Sequence, residues 1–202
     1  MYTVYILASY LLTTLLLLYL LWRSLHDPEY RRRWRERFAL SLPEVRPGGI
    51  VLHAASVGEV NAASALIRAI LLRYPASPLL LTCFTPTGSA RIRELFGAQV
   101  AHAYIPLDLP GCTQRFFRHA QPRLLIIMET EIWPNLYHAA AQRNIPILLA
   151  NARISDRSFA RFLRTRRLIG DSLQQVGENL SHCGRSVVET DRARERKQLR
   201  RI

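Results

Sequence analysis

Between residues 49 and 153 short apolar runs alternate with amphipathic stretches, and few folds satisfy that rhythm. Residues 49–53, 79–83, 100–105, 124–128 and 146–150 are too short for helices and apolar almost throughout, as strands covered on both faces are. Between them lie residues 60–74, with Leu66, Ile67, Ile70 and Leu71 at helical spacing, and a stretch ending near Phe96. A third stretch ends near His119, with Asp108 as its candidate N-cap, and a fourth opens at Pro134, whose missing N–H costs nothing in a first helical turn. Strands alternating with helices of about 10 to 15 residues build βα units, hence a parallel sheet with helices on both faces and right-handed crossovers. The expected fold is α/β, a Rossmann-like, doubly wound half-sheet of five strands across residues 49–162. The pattern does not set the strand order.

The ends of these strands carry the chemistry. Ile126-Ile127-Met128 runs into Glu129-Thr130-Glu131-Ile132-Trp133-Pro134-Asn135, placing two carboxylates, an indole and an amide where an open parallel sheet binds its ligands. The first strand likewise empties into Ser56 and Glu59, the second into Thr85, Thr87 and Gly88, and the fifth into Asn151 and Arg153. Ser56 and Glu59 read two ways. Their spacing makes a capping box in which Glu59 reaches back to the Ser56 N–H, and it equally offers a general base, although a helix N-terminus favours the charged carboxylate and lowers its basicity. The turn at Thr85, Thr87 and Gly88 suits an anion held by backbone N–H groups, or a plain threonine cap. Asn151 and Arg153 suit a phosphate or carboxylate, which a guanidinium takes bidentately. Trp133 offers an apolar face to a ligand or to the core, and Glu131 is placed to pair with an arginine such as Arg153. His53 reads as a strand-end hydrogen bonder. The six histidines show no metal-ligand spacing, so neither metal nor cofactor is expected.

Ahead of this domain, residues 1–22 carry no charge and include an almost unbroken apolar run from Leu11 to Trp22, long enough for one bilayer crossing. A signal peptide would need a basic start and a small-residue cleavage site, and neither is present. Arg23 follows, then Arg31-Arg32-Arg33 with Arg35 and Arg37, which by the positive-inside rule places the rest of the chain in the cytoplasm. Residues 1–22 are therefore expected to be a single-pass transmembrane anchor. Residues 23–48 are expected to form a basic membrane-proximal segment that draws anionic headgroups at roughly 1 kcal/mol per Lys or Arg. Net charge is +13 with a pI near 10.7. Nucleic acid, the other usual partner of so basic a chain, is not expected, because the charge gathers at the collar and the tail while the crevice motifs are acidic. Cys83, Cys112 and Cys183 have no paired spacing and read as reduced thiols.

Four blocks in order, His53-Ala54-Ala55-Ser56-Val57-Gly58-Glu59, Thr85-Pro86-Thr87-Gly88-Ser89, Met128 to Asn135, and Asn151-Ala152-Arg153-Ile154-Ser155, resemble the 3-deoxy-D-manno-octulosonic acid (Kdo) transferase family. The anchor and the Tyr30–Phe38 basic stretch are similar to the family's start, so the likeness covers residues 1–162. The resemblance implies one half of a two-domain, inverting GT-B glycosyltransferase of lipopolysaccharide biosynthesis. Such an enzyme moves Kdo from CMP-Kdo, a donor substrate rather than a cofactor, to the lipid A precursor at the cytoplasmic face of the inner membrane. It implies that this half receives the lipid acceptor, with contacts at Ser56, Thr85, Thr87, Gly88, Trp133, Asn151 and Arg153. It also implies that Glu59 is the general base that takes the acceptor hydroxyl proton, and that Glu129 stabilises positive charge developing on the donor sugar.

Beyond Phe162 the character changes. Residues 161–202 hold eleven Lys or Arg against five acids and no strand-like run. The expectation is a basic, disordered, divergent tail over 163–202 arising from a shift of reading frame, with the CMP-Kdo-binding domain absent. Two readings follow: a Kdo transferase described by that activity, or a membrane-anchored acceptor-binding remnant without turnover.

Overall fold

The structure, a computed structural model, describes residues 2–26, 32–129 and 133–151. Two helices, α1 (Tyr2–His26) and α2 (Trp34–Arg37), precede the alternating unit. That unit runs β1 (Ile50–His53), α3 (Val57–Arg73), β2 (Leu79–Cys83), α4 (Pro86–Phe96), β3 (Ala101–Tyr104), α5 (Pro110–Ala120), β4 (Leu124–Met128), α6 (Pro134–Ala141) and β5 (Ile147–Ala150). The five strands pair in parallel in the order β3-β2-β1-β4-β5, so the direction of winding reverses between β1 and β4.

The strands lack polar alternation because both faces are covered. Val51, Leu80, Leu125, Ile127, Ile147 and Leu149 point toward Phe116, Phe117, Leu136 and Tyr137 of α5 and α6. Their strand neighbours Ile50, Leu52, Leu79, Leu81, Ile126 and Met128 point toward Val60, Ala63, Ile67 and Ile92 of α3 and α4. At the start of β1 the backbone must pass close to Pro78: a Cβ on Gly49 would lie 2.3 Å from the Pro78 carbonyl oxygen, which also accepts from the Ile50 N–H at 2.8 Å.

Two expectations change and a third is left unconfirmed. Asp108 caps a different helix from the one foreseen. α5 starts after Leu109 without a side-chain cap, whereas the Asp108 carboxylate accepts from the N–H groups of Asn135 (3.1 Å) and Leu136 (2.8 Å) at the start of α6, whose own N-cap residue Trp133 supplies none. Asp108 lies one residue outside the α5 turn, and packing of α6 beside α5 brings the needier N-terminus within reach.

The basic collar is the second. Arg37 is buried with its guanidinium 4.2 Å from the Tyr104 ring centroid and 5.0 Å from that of Phe84, and it donates to the Phe84 carbonyl at 2.9 Å. Arg33 pairs with Glu36, donates to Ser89 Oγ (2.8 Å) and the His102 carbonyl (3.1 Å), and also stacks on Tyr104. Planar, weakly hydrated guanidinium groups stack well on aromatic rings, so these two arginines tie the segment to the β3 edge instead of facing headgroups. Arg32 and Arg35 remain exposed.

The third is the anchor. Residues 2–22 are helical as expected, but α1 continues through Arg23, Ser24 and His26, and among the described residues no helix is long and apolar enough to cross a membrane. One side of α1 is held by the domain: the Tyr5 hydroxyl donates to Asp108 at 2.6 Å, and Leu16 and Leu17 pack on Leu107, Leu109 and Cys112. Glu131, Arg153, Cys183 and the tail 163–202 lie outside the described residues.

Candidate functional site

The site sits at the carboxyl ends of the strands, around the reversal between β1 and β4. After β1 the chain extends through Ala54 and Ala55 to Ser56, the N-cap of α3, whose hydroxyl oxygen accepts from the Glu59 N–H at 3.3 Å. Glu59 is 8% exposed. Its Oε2 accepts from the Ala55 N–H at 2.8 Å and its Oε1 from the Ser56 hydroxyl at 3.0 Å. A capping box has formed, with the return bond on Ala55 one residue earlier than the spacing suggested. The cap therefore orients Glu59 through both of its carboxylate oxygens.

After β2, Thr85 caps α4 by accepting from the Gly88 N–H at 3.1 Å, and Thr87 donates to Thr85 at 3.3 Å. The Ala55 carbonyl receives the N–H of Phe84 (3.1 Å) and of Thr85 (3.3 Å), which joins the starts of α3 and α4. A Cβ on Gly88 would come within 3.0 Å of Thr85 Oγ1, so the glycine allows this close approach. Thr85 is thus a working cap. Beside it opens a cavity of about 260 Å³ lined by Arg32, Arg33, Thr87, Ser89, Arg93 and Tyr104. Sequence reading did not find these arginines as a group, because Arg93 is distant in sequence and the other two sat in what looked like a membrane collar.

The back of this cavity is a fixed polar chain. Ser89 Oγ lies 2.8 Å from His102 Nε2, and His102 Nδ1 lies 3.0 Å from the Leu81 carbonyl. Only a protonated Nδ1 can donate to that carbonyl, so Nε2 accepts the Ser89 hydroxyl proton and Ser89 in turn accepts from Arg33. Burial, with Arg33 and Arg93 adding to it, pulls the His102 pKa down to about 4 and keeps the ring neutral. Burial pushes the neighbouring Cys83 thiol up to about 12, so it is inert.

Across the reversal, Glu129 leaves β4 with φ of 59°, its N–H donating to the Ala150 carbonyl at 2.8 Å and its side chain exposed. Asn151 leaves β5 with φ of 56°. Positive φ also occurs at Arg33, Ala39, Gln121 and Asn144, so placement is what distinguishes this pair. Asparagine enters the left-handed region readily, whereas glutamate does so at a cost of order 1 kcal/mol, which turns its side chain away from the buried strand line. Trp133 is partly buried, edge-on to His53 (centroids 6.2 Å, 83°) and 6.1 Å from Phe84, and fills the mouth between the ends of β1, β2 and β4. It packs here. His53 itself is buried, with Nδ1 3.0 Å from Thr82 Oγ1.

The fold therefore places the Glu59 and Glu129 turns on adjacent strands, with the Thr85 turn flanking the first and Asn151 the second. Among the described residues, no group of three His, Cys, Asp or Glu side chains could hold a metal ion.

A crevice of this kind occurs in many α/β proteins, and comparison with known sequences decides among them. The family described as 3-deoxy-D-manno-octulosonic-acid transferase (kdotransferase), a glycosyltransferase N-terminal domain, matches residues 32–184. The chain belongs to this family. The match begins after α1 and runs past Phe162, so family likeness does not stop where the arginine-rich stretch begins. A 3-deoxy-D-manno-octulosonic acid transferase of Haemophilus influenzae is 50% identical over 143 residues, 69% of this chain and 33% of that protein. One of Bordetella pertussis is 40% identical over 145 residues (69% and 32%), and one of Rickettsia felis is 39% identical over 115 (57% and 25%). The chain spans a quarter to a third of the length of these curated relatives. As a Kdo transferase family member with a five-stranded parallel sheet, it has the Rossmann-like fold of a glycosyltransferase half.

Proposed function

We propose that this chain is the acceptor side of a glycosyltransferase that moves Kdo from CMP-Kdo to the lipid A precursor at the cytoplasmic face of the inner membrane. The observation that carries the reading is that Glu59, in the first turn of α3 after β1, and Glu129, at the end of the adjacent β4, flank the winding reversal in a chain of this family. Glu59, oriented by Ala55 and Ser56, takes the proton of the acceptor hydroxyl as that oxygen attacks the anomeric carbon. Glu129, exposed at the end of β4, favours the oxocarbenium charge that grows as CMP departs. An attack from the face opposite the leaving nucleotide inverts the anomeric centre. The lipid's phosphates suit the arginine-lined cavity beside Thr87. Asn151 follows β5 on the other flank, and Arg153, two residues on in the sequence, is the proposed anion contact that accompanies it.

Transfer of radiolabelled Kdo from CMP-Kdo to the lipid A precursor tests the reading. Loss of transfer in Glu59→Gln and in Glu129→Gln, with acceptor binding retained in Glu59→Gln and weakened in Arg153→Ala, is the expected pattern. Acceptor binding with no transfer by the wild-type chain would identify a binding-only protein instead. Absence of both would overturn the proposal.

A further inference from the structure

The start of α6 depends on a distant carboxylate. Trp133, its N-cap residue, supplies no side-chain acceptor and Pro134 takes the first helical position, so the N–H groups of Asn135 and Leu136 need a partner from elsewhere. That partner is Asp108. Its Oδ2 accepts from the Asn135 N–H at 3.1 Å and from the Tyr5 hydroxyl at 2.6 Å, and its Oδ1 accepts from the Leu136 N–H at 2.8 Å. Its backbone carbonyl accepts from the buried Asn135 side chain at 2.6 Å. Asp108 is itself held in place. It is the central residue of a tight turn closed by the Leu109 N–H on the Leu107 carbonyl at 2.7 Å, and the Leu107 N–H donates to the Arg37 carbonyl at 2.8 Å. Leu107 and Leu109 are both buried, packed with Leu16, Leu17 and Phe38. Asp108 follows β3, which lies three strands from β4 in the sheet order, about 14 Å at the usual strand spacing. Position 133, where a local cap would stand, is taken by an indole that packs on His53 and Phe84.

We propose that Asp108 is the positioning residue of the junction between β4 and α6, and that through this junction it holds the Glu129 carboxylate at the winding reversal. Glu129 has φ of 59°, a conformation that a glutamate keeps only where its surroundings impose it. Upstream, the Glu129 N–H is fixed on the Ala150 carbonyl at 2.8 Å. Downstream, Asp108 fixes the first turn of α6 to the segment after β3 and, through Tyr5, to α1. With both ends held, the junction keeps one length and one direction. Release of the downstream end frees the first turn of α6 to unwind and lets the junction shift. A displacement of about 1 Å at a group that meets developing charge costs about 10²-fold in rate. Asp108 takes no part in the transfer itself and acts through Glu129, so this consequence rests on the catalytic role proposed for Glu129.

The first test is amide hydrogen exchange followed by mass spectrometry on the full chain in detergent micelles, without substrate. Asp108→Asn keeps the shape and one acceptor oxygen but turns an amide nitrogen toward one of the two N–H groups. Exchange over residues 129–138 is expected to quicken about tenfold with β1 and β2 unchanged, and Tyr5→Phe, which spares the carboxylate, is expected to quicken it about threefold. Gly49→Ala, altered at the opposite end of the sheet, is the control. An equal rise over residues 129–138 in the control would show that Asp108→Asn loosens the whole domain, and would overturn the proposal. Unchanged exchange in Asp108→Asn, or in Tyr5→Phe should the first variant not fold, would overturn it as well. Kinetics then separate positioning from support. Asp108→Asn is expected to lower kcat for Kdo transfer about 10²-fold, to change KM for the acceptor less than about twofold, and to have little further effect in a Glu129→Gln background. An undiminished loss in that background would overturn the proposal, because Asp108 would then act elsewhere. Full activity of Glu129→Gln alone would count against the transferase reading of Glu129, whereas the exchange rates decide the place of Asp108 independently of it.

Discussion

Replacing Glu59 separates its cap at the start of α3 from the catalytic role proposed for it. In Glu59→Ala the buried Ala55 N–H loses its acceptor at 2.8 Å and the Ser56 hydroxyl loses its own at 3.0 Å. An unsatisfied buried N–H costs about 1–3 kcal/mol, and loss of the charge favoured at a helix start adds about 0.3–1 kcal/mol. The expected destabilisation is about 1–4 kcal/mol. In Glu59→Gln the amide oxygen still accepts from Ala55, and the amide nitrogen can donate to Ser56 Oγ once that hydroxyl turns. Only the charge term is lost, so the expected cost is about 0.3–1 kcal/mol. Urea unfolding followed by far-ultraviolet circular dichroism in detergent micelles reads both, with the slope m checked for constancy. The glutamine variant should then be nearly as stable as wild type yet slower in transfer by about 10²–10⁴-fold, the usual contribution of a general base. Equal destabilisation by alanine and glutamine would show that the two hydrogen bonds do not hold the start of α3. Full transfer by a stable glutamine variant would remove Glu59 as the base.

His102 makes the fold acid-sensitive: its folded pKa is lowered to about 4 from 6.5, so the unfolded chain binds the proton first, and the stability it contributes is present above pH 6.5 and lost as pH falls toward 4. The full loss is of order 3 kcal/mol, read from urea midpoints at pH 7 and pH 4, and His102→Gln should flatten that difference. Gly49→Ala should destabilise by about 2–4 kcal/mol, because its Cβ would meet the Pro78 carbonyl at 2.3 Å and backbone must move; a thermal midpoint unchanged from wild type would refute the close approach.

The five strands were legible in the sequence because a strand covered on both faces is apolar at every position, and residues 79–83 and 124–128 have the bounds of β2 and β4. The crevice residues were legible for a related reason. Polar groups at the end of such a run must leave the core, and in a parallel sheet all those ends point one way. Ser56, Glu59, Thr85 and Glu129 could therefore be named without knowledge of their neighbours.

What the sequence could not decide was partnership between residues far apart in the chain. Arg33 and Arg37 look like a solvated basic run until Tyr104 and Phe84 are beside them. Asp108 looks like the cap of the helix that follows it until α6 packs alongside. In α1, the uncharged composition led to the expectation of a membrane anchor, yet hydropathy counts residues and is blind to direction. Only the packed structure shows which of its residues meet the domain, Tyr5 on Asp108 and Leu16 and Leu17 on Leu107, Leu109 and Cys112, and which face outward. Local pattern determines which segments must be buried, since desolvation is a property of each side chain. Which surface buries them, and which guanidinium meets which ring, depends on contacts that exist only once the sheet has closed its order β3-β2-β1-β4-β5.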